Sequence, residues 1–123
     1  MEKEIYQALL NTLQSPVVFV DNDHIIRYLN RAAQVRYYEQ QGFADLVGKS
    51  LFDCHNNNSE QRMKQIHARL VAGEDRVLLK SNATETITVV AVRDPDRQLL
   101  GYYEYFEWRE QPSGPPGPTL PYE

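Results

Sequence analysis

The residues most able to do chemistry in this chain are three histidines, one cysteine and the carboxylates around them, and their spacing decides what they could do. Cys54 and His55 are adjacent, follow Asp53, and precede a polar run. Neighbouring side chains point apart on any regular element, and no second Cys or His pair stands at ligand spacing, so the pair reads as a structural turn rather than a metal site. Asp53 reads as a cap for that turn. His67 is placed differently. It falls four residues after Met63 and three before Leu70, on the same line as Ile66, so a titratable ring joins an apolar stripe. An imidazole there could hydrogen-bond a core tyrosine or backbone carbonyl, position a polar ligand, or serve as an axial haem ligand. His24, in Asp21-Asn22-Asp23-His24, reads as a solvated turn residue. The chain shows no Ser-His-Asp order with a nucleophile elbow, no glycine-rich phosphate loop and no isolated pair of carboxylates. No catalytic constellation is expected.

The element that must position His67 is a helix from about Asn58 to Gly73. Met63, Ile66, Leu70 and Val71 form its apolar side, and Glu60, Arg62, Lys64 and Arg69 its wet side. Asn58 or Ser59 can cap its start, and Gly73 suits its end. Upstream, Ile5, Leu9 and Leu13, with Tyr6 and Leu10 beside them, predict an amphipathic helix over residues 2–14, ended by Ser15-Pro16. Residues 16–20 and 25–29 predict a hairpin. Asn30 can cap a short helix over residues 31–38, and residues 43–46 can form one further turn. After Gly73 the period changes to two. Residues 76–81, 84–92 and 99–108 predict three antiparallel strands joined by short turns. On the last, Tyr102, Glu104 and Phe106 share one face and Tyr103 and Tyr105 the other, so both sides are sticky.

Composition narrows the partners. The 123 residues suit one domain, and 13 basic against 17 acidic residues give a net charge of -4 with no basic stripe to track a phosphate backbone. Apolar runs of about five residues are far short of the roughly 20 that span a bilayer. With neither nucleic acid nor membrane indicated, and a single cysteine that forms no internal disulfide, a cytoplasmic location is expected. Residues 111–123 hold five of the seven prolines and read as a flexible tail.

The stretches PVVFVDNDHIIRYLNRAA, GKSLFDCH and AVRDPDRQLLGYYEYFE resemble, as a set, a PAS sensory domain over residues 5 to 108. The Cys-His pair is similar to that of PAS modules attached to hemerythrin-like domains in bacteria, which carry prolines where Asn56 and Asn57 stand. The resemblance implies an α+β fold, PAS-like, with one five-stranded antiparallel sheet, helices packed on one face and the N-terminal amphipathic helix. It assigns residues 1–14 to that helix, 15–110 to the sensory domain and 111–123 to the tail. It also implies a ligand cavity between sheet and long helix. The candidate ligand-binding residues there are His67, Met63, Ile66 and Leu70, joined by Tyr28, Phe52, Cys54, His55 and Tyr103. Cys54 stands six residues after Gly48, outside the Asn-Cys-Arg-Phe run of the family's flavin photosensors, and haem-binding members place their ligand nearer Arg62. The cofactor is therefore left unassigned. The chain ends in Trp108-Arg109-Glu110 and a proline-rich tail instead of the Asp-Ile-Thr that leads many members into a signalling helix. The expected partners are a small-molecule ligand, a second copy of the chain in a homodimer and a separate signalling protein. The alternative is a ligand-free dimerisation module.

Overall fold

A computed structural model describes residues 2–54 and 57–108, apart from the side chains of Cys54 and Asn57. Ten elements follow in order: α1 (Glu2–Asn11), β1 (Val18–Asp21), β2 (Ile26–Leu29), α2 (Arg31–Gln34), a π-helical stretch (Val35–Gln40), a 3-10 turn (Leu51–Cys54), α3 (Asn57–Val71), β3 (Arg76–Ser81), β4 (Glu85–Arg93) and β5 (Leu99–Trp108). The strands form one antiparallel sheet in the order β2-β1-β5-β4-β3. The first hairpin is thus stitched to the last strand, through Phe19↔Tyr103, Val20↔Tyr102 and Asp21↔Gly101.

The core lies between one face of this sheet and the intervening helices. Strand alternation sends Val20, Ile26, Val77, Val89 and Tyr102 to that face, where they meet Met63, Ile66 and Leu70 of α3, Leu51 of the 3-10 turn and Ala33 of α2. Leu70 has no exposed surface. The Arg93 guanidinium ties down the end of α3, donating to the carbonyl oxygen of Leu70 (2.7 Å) in its last turn and to that of Glu74 (2.9 Å) just beyond it. Gly73 (φ 117°) takes the left-handed turn that ends the helix.

Asn30 ties three segments together. Its side-chain oxygen accepts from Ala33 N (3.0 Å), the N-cap bond, and from Val17 N (2.9 Å); its amide donates to the carbonyls of Leu10 (3.0 Å) and Ser15 (3.1 Å). This is also why β1 begins at Val18 and not at Pro16 as expected. Pro16 has no N–H to give the ladder, and that of Val17 goes to Asn30.

The short-helix region departs further from expectation. α2 stops after Gln34 and the chain continues as a π-helical stretch, closed by the bond from Gln41 N to Arg36 O (3.1 Å). The expected turn over residues 43–46 does not form. Phe43 N donates to Tyr37 O (2.9 Å) and Leu46 N to Tyr38 Oη (3.0 Å), so one backbone bond and one side-chain bond replace a helical ladder. At the start of the chain α1 ends at Asn11, short of residue 14, and buries none of its residues. Ile5, Tyr6, Leu9 and Leu13 are 46 to 63% exposed. The tail, residues 111–123, lies outside the described residues. Among the described residues no helix is long and apolar enough to cross a membrane.

Candidate functional site

The hairpin turn between β1 and β2 builds the first half of the site. Asp21 folds it: its Oδ1 accepts from Asp23 N (2.9 Å) and Ile25 N (3.1 Å), and Arg27 Nε holds Oδ2 at 2.6 Å. The turn closes with His24 in the left-handed region (φ 63°), which aims its ring inward. His24 is therefore not the solvated residue expected. Its Nδ1 and Tyr102 Oη share a hydrogen bond of 2.7 Å, and its ring lies 4.6 Å from Phe52 and 4.9 Å, edge-on, from His67. The position became important through strand pairing: β1 lies beside β5, which brings Tyr102 to the turn from 78 residues away.

His67 stands at the margin of the apolar stripe, half-buried, with Nε2 3.1 Å from Asn22 Oδ1. The expectation of a ring sealed in the core is corrected by this: α3 turns Met63, Ile66 and Leu70 fully inward, and His67 faces the hairpin turn beside them. The Asn22 amide in turn donates to Leu99 O (2.7 Å). The turn, α3, the 3-10 segment and β5 thus meet in one cluster of His24, His67, Phe52, Tyr102 and Asn22.

Electrostatics agree with the packing. Burial holds His24 below the usual imidazole range, aided by the charges of His67 and Lys64 and opposed by those of Asp21 and Asp23. Burial alone lowers His67. The Tyr102 phenol is pushed well above its ordinary value by burial first, then by the negative charges of Glu104 and Asp21. At neutral pH both imidazoles are neutral and the phenol keeps its proton, so each offers a donor and an acceptor.

On the other side of Tyr102 lies a cavity of about 190 Å³. Val18, Val20, Ile26, Leu46 and Leu51 give it apolar walls, Tyr37, Phe43 and Tyr102 give it rings, and Gln41 and Glu104 give it polar groups. It sits between the sheet and the π-helical stretch with its following loop. The expected position, against the long helix, is corrected: none of His67, Met63, Ile66 and Leu70 lines it, because α3 packs directly on β3 and on the core residues between them.

Tyr28 and Tyr103 are also displaced from the expected site. Both pair with Phe19, one register step from the core-facing Val20, so they occupy the opposite face of the sheet. There they line a wide groove of about 1260 Å³ beneath α1, with Phe19, Val92 and Tyr105. The Tyr28 hydroxyl donates to Asn11 Oδ1 (3.2 Å) at the end of that helix. His55 and the Cys54 side chain lie outside the described residues.

The described histidines stand apart from the cavity that an axial haem ligand would face. Neither lines it; one ring nitrogen of each is held by a hydrogen bond, Nδ1 of His24 with Tyr102 and Nε2 of His67 with Asn22. Among the described residues, no group of three or more His, Cys, Asp or Glu side chains could hold a metal ion.

A five-stranded antiparallel sheet of this order, with α2, the π-helical stretch and α3 on its core face, defines the class, and the chain belongs to the PAS domain family: the family model matches residues 6–107. Solved structures agree in fold. The C-terminal domain of a Streptococcus mutans protein is 23% identical over 86% of this chain and 84% of its own, with a TM-score of 0.70. The PAS domain of Bordetella pertussis BvgS is 14% identical, covering 90% and 88%, with a TM-score of 0.66. The Aer2 receptor of Vibrio cholerae, described as a dual PAS-heme oxygen sensor, is 21% identical, covering 76% and 93%, with a TM-score of 0.52. Among curated proteins none matches the chain in sequence.

Proposed function

We propose that this chain is a sensory module for signal transduction, which binds a small molecule in the cavity behind Tyr102 and passes the signal to a second copy or a separate signalling protein. The observation that carries this is the cavity itself: about 190 Å³, apolar for the most part, with a few convergent polar groups. That is below the roughly 300–1,000 Å³ of drug-sized sites, so the ligand is small. A route outward exists in the contacts of Tyr102. Its ring walls the cavity and its hydroxyl holds His24, which packs on His67 of α3; a ligand that shifts the ring also shifts the turn against the helix.

The test is a titration with the neutral probe 2-phenylethanol, followed by amide chemical shifts. Saturable shifts centred on β1, Leu51 and Tyr102, abolished by Val18→Phe, are the expected result. No saturable shift at millimolar probe would refute the reading.

A second reading, a dimerisation module, is favoured by α1. Its apolar residues are exposed above the groove lined by Tyr28, Tyr103 and Tyr105, a larger apolar area than a lone surface helix needs to leave uncovered.

A further inference from the structure

We propose that the cavity selects a small organic cation, an apolar or aromatic body that carries a protonated amine. The inference rests on the reading of the cavity as a ligand site and adds the sign of the ligand's charge.

Glu104 carries the argument. Among the described residues it is the one ionisable carboxylate lining the cavity, and no Lys or Arg lines it. Its position on β5 is unusual for a charge. It shares its face with Tyr102 and Phe106, 1% and 5% exposed, and its register partner on β4 is Val89, which has no exposed surface. Glu104 itself is half-buried and keeps contacts of its own. Its charge is felt inside the wall of the cavity, since it is one cause of the firmer hold on the Tyr102 proton. A carboxylate has about four acceptor sites, so an ammonium group can join whatever contacts Glu104 already makes.

The rings supply the second half of the recognition. Tyr37, Phe43 and Tyr102 all line the cavity, with the first two 6.4 Å apart, and aromatic faces attract an ammonium through their quadrupoles. An anion would meet the negative faces of these rings and the Glu104 charge together. Arg36 is not part of the lining; its guanidinium lies over the rings of Phe106 (5.3 Å), Trp108 (5.7 Å) and Tyr37 (5.8 Å), which leaves Phe43 and Tyr102 as the lining rings without a cation of their own among the described residues.

Three probes of one shape decide the matter: 2-phenylethylamine (cationic at neutral pH), 2-phenylethanol (neutral) and phenylacetate (anionic), each titrated into wild type and Glu104→Gln and followed by amide shifts. The amine is expected to bind wild type about tenfold or more tightly than the alcohol, and to lose that advantage in Glu104→Gln. Alcohol affinity should be the same in both proteins, which also shows that the variant is folded. Equal binding of amine and alcohol to wild type, or amine binding untouched by Glu104→Gln, overturns the inference and leaves the ligand cavity standing. Tighter binding of phenylacetate than of the amine overturns it as well. If none of the three binds, the ligand cavity falls and the inference falls with it.

Discussion

Alanine at Gly101 would strike the seam between the first hairpin and the last strand. A Cβ there would lie 2.1 Å from the Val20 carbonyl oxygen, 2.8 Å from the tip of the Phe19 ring and 2.9 Å from the Asp21 Cα. Two of these three atoms are backbone, so no change of rotamer clears the space. Ordinary contact begins near 3.4 Å, and β1 must therefore retreat by about an ångström. Only three residue pairs join β1 to β5, and such a retreat breaks part of that ladder at roughly 0.5 to 1.5 kcal/mol per hydrogen bond. Overpacking strain adds about 1 to 3 kcal/mol. The expected loss is about 3 to 5 kcal/mol, a large share of the roughly 5 to 15 kcal/mol that holds a domain together. Urea unfolding measures the total, and amide hydrogen exchange locates it: protection should vanish at Phe19 to Asp21 and persist along β3 and β4. A loss below about 1 kcal/mol, with β1 still protected, would show that the seam has slack the geometry denies.

Asn30→Ala removes four hydrogen bonds from a fully buried side chain and should cost about 2 to 4 kcal/mol in thermal or urea unfolding; a cost under about 1 kcal/mol would mean that water replaces them. Acid should weaken the fold through His24 and His67. Both are held below their unfolded value of 6.5, so the unfolded chain binds the extra protons: stability is fully present above about pH 6.5 and declines as the pH falls through and below it. Urea midpoints across that range measure the decline, His24→Gln should flatten it, and an already flat wild-type profile would sink the argument. For assembly, the wild type should sediment as a dimer and Tyr6→Glu with Leu9→Glu as a folded monomer, since both side chains are more than 60% exposed in the single chain; a monomeric wild type at micromolar concentration removes the dimer.

What could be read from the sequence was what repeats locally. The spacing of Met63, Ile66 and Leu70 gave the buried side of α3, Gly73 its end, and Asn30 the cap of α2; β3 and β5 have the bounds that alternation indicated. The site was legible only in pieces. His67 and Phe52 each pack on His24, but His24 sits in a turn with no period, and its partner Tyr102 is selected by a pairing between the two ends of the domain. Tyr28 and Tyr103 illustrate the same difficulty in reverse. Each lies on a well-read strand, yet one step of register puts them on the far side of the sheet. A cavity was expected, but its position escaped because its outer wall is a π-helical stretch and a loop pinned by Tyr38, and neither leaves a hydrophobic rhythm.

The stitching of β1 to β5 sets an order of events for the newborn chain. The hairpin of residues 18–29 emerges early, with a core face and one open edge, and its permanent neighbour on the β1 side does not exist until residues 101–103 have been made. A lone two-stranded hairpin is barely stable in water. The β3-β4-β5 meander, by contrast, closes through short turns and can form as soon as it is synthesised. Folding should then run backwards along the sequence: the late meander serves as the template on which the early hairpin is laid. The turn with His24, and the walls of the cavity supplied by Val18 and Val20, would come into being last and open first.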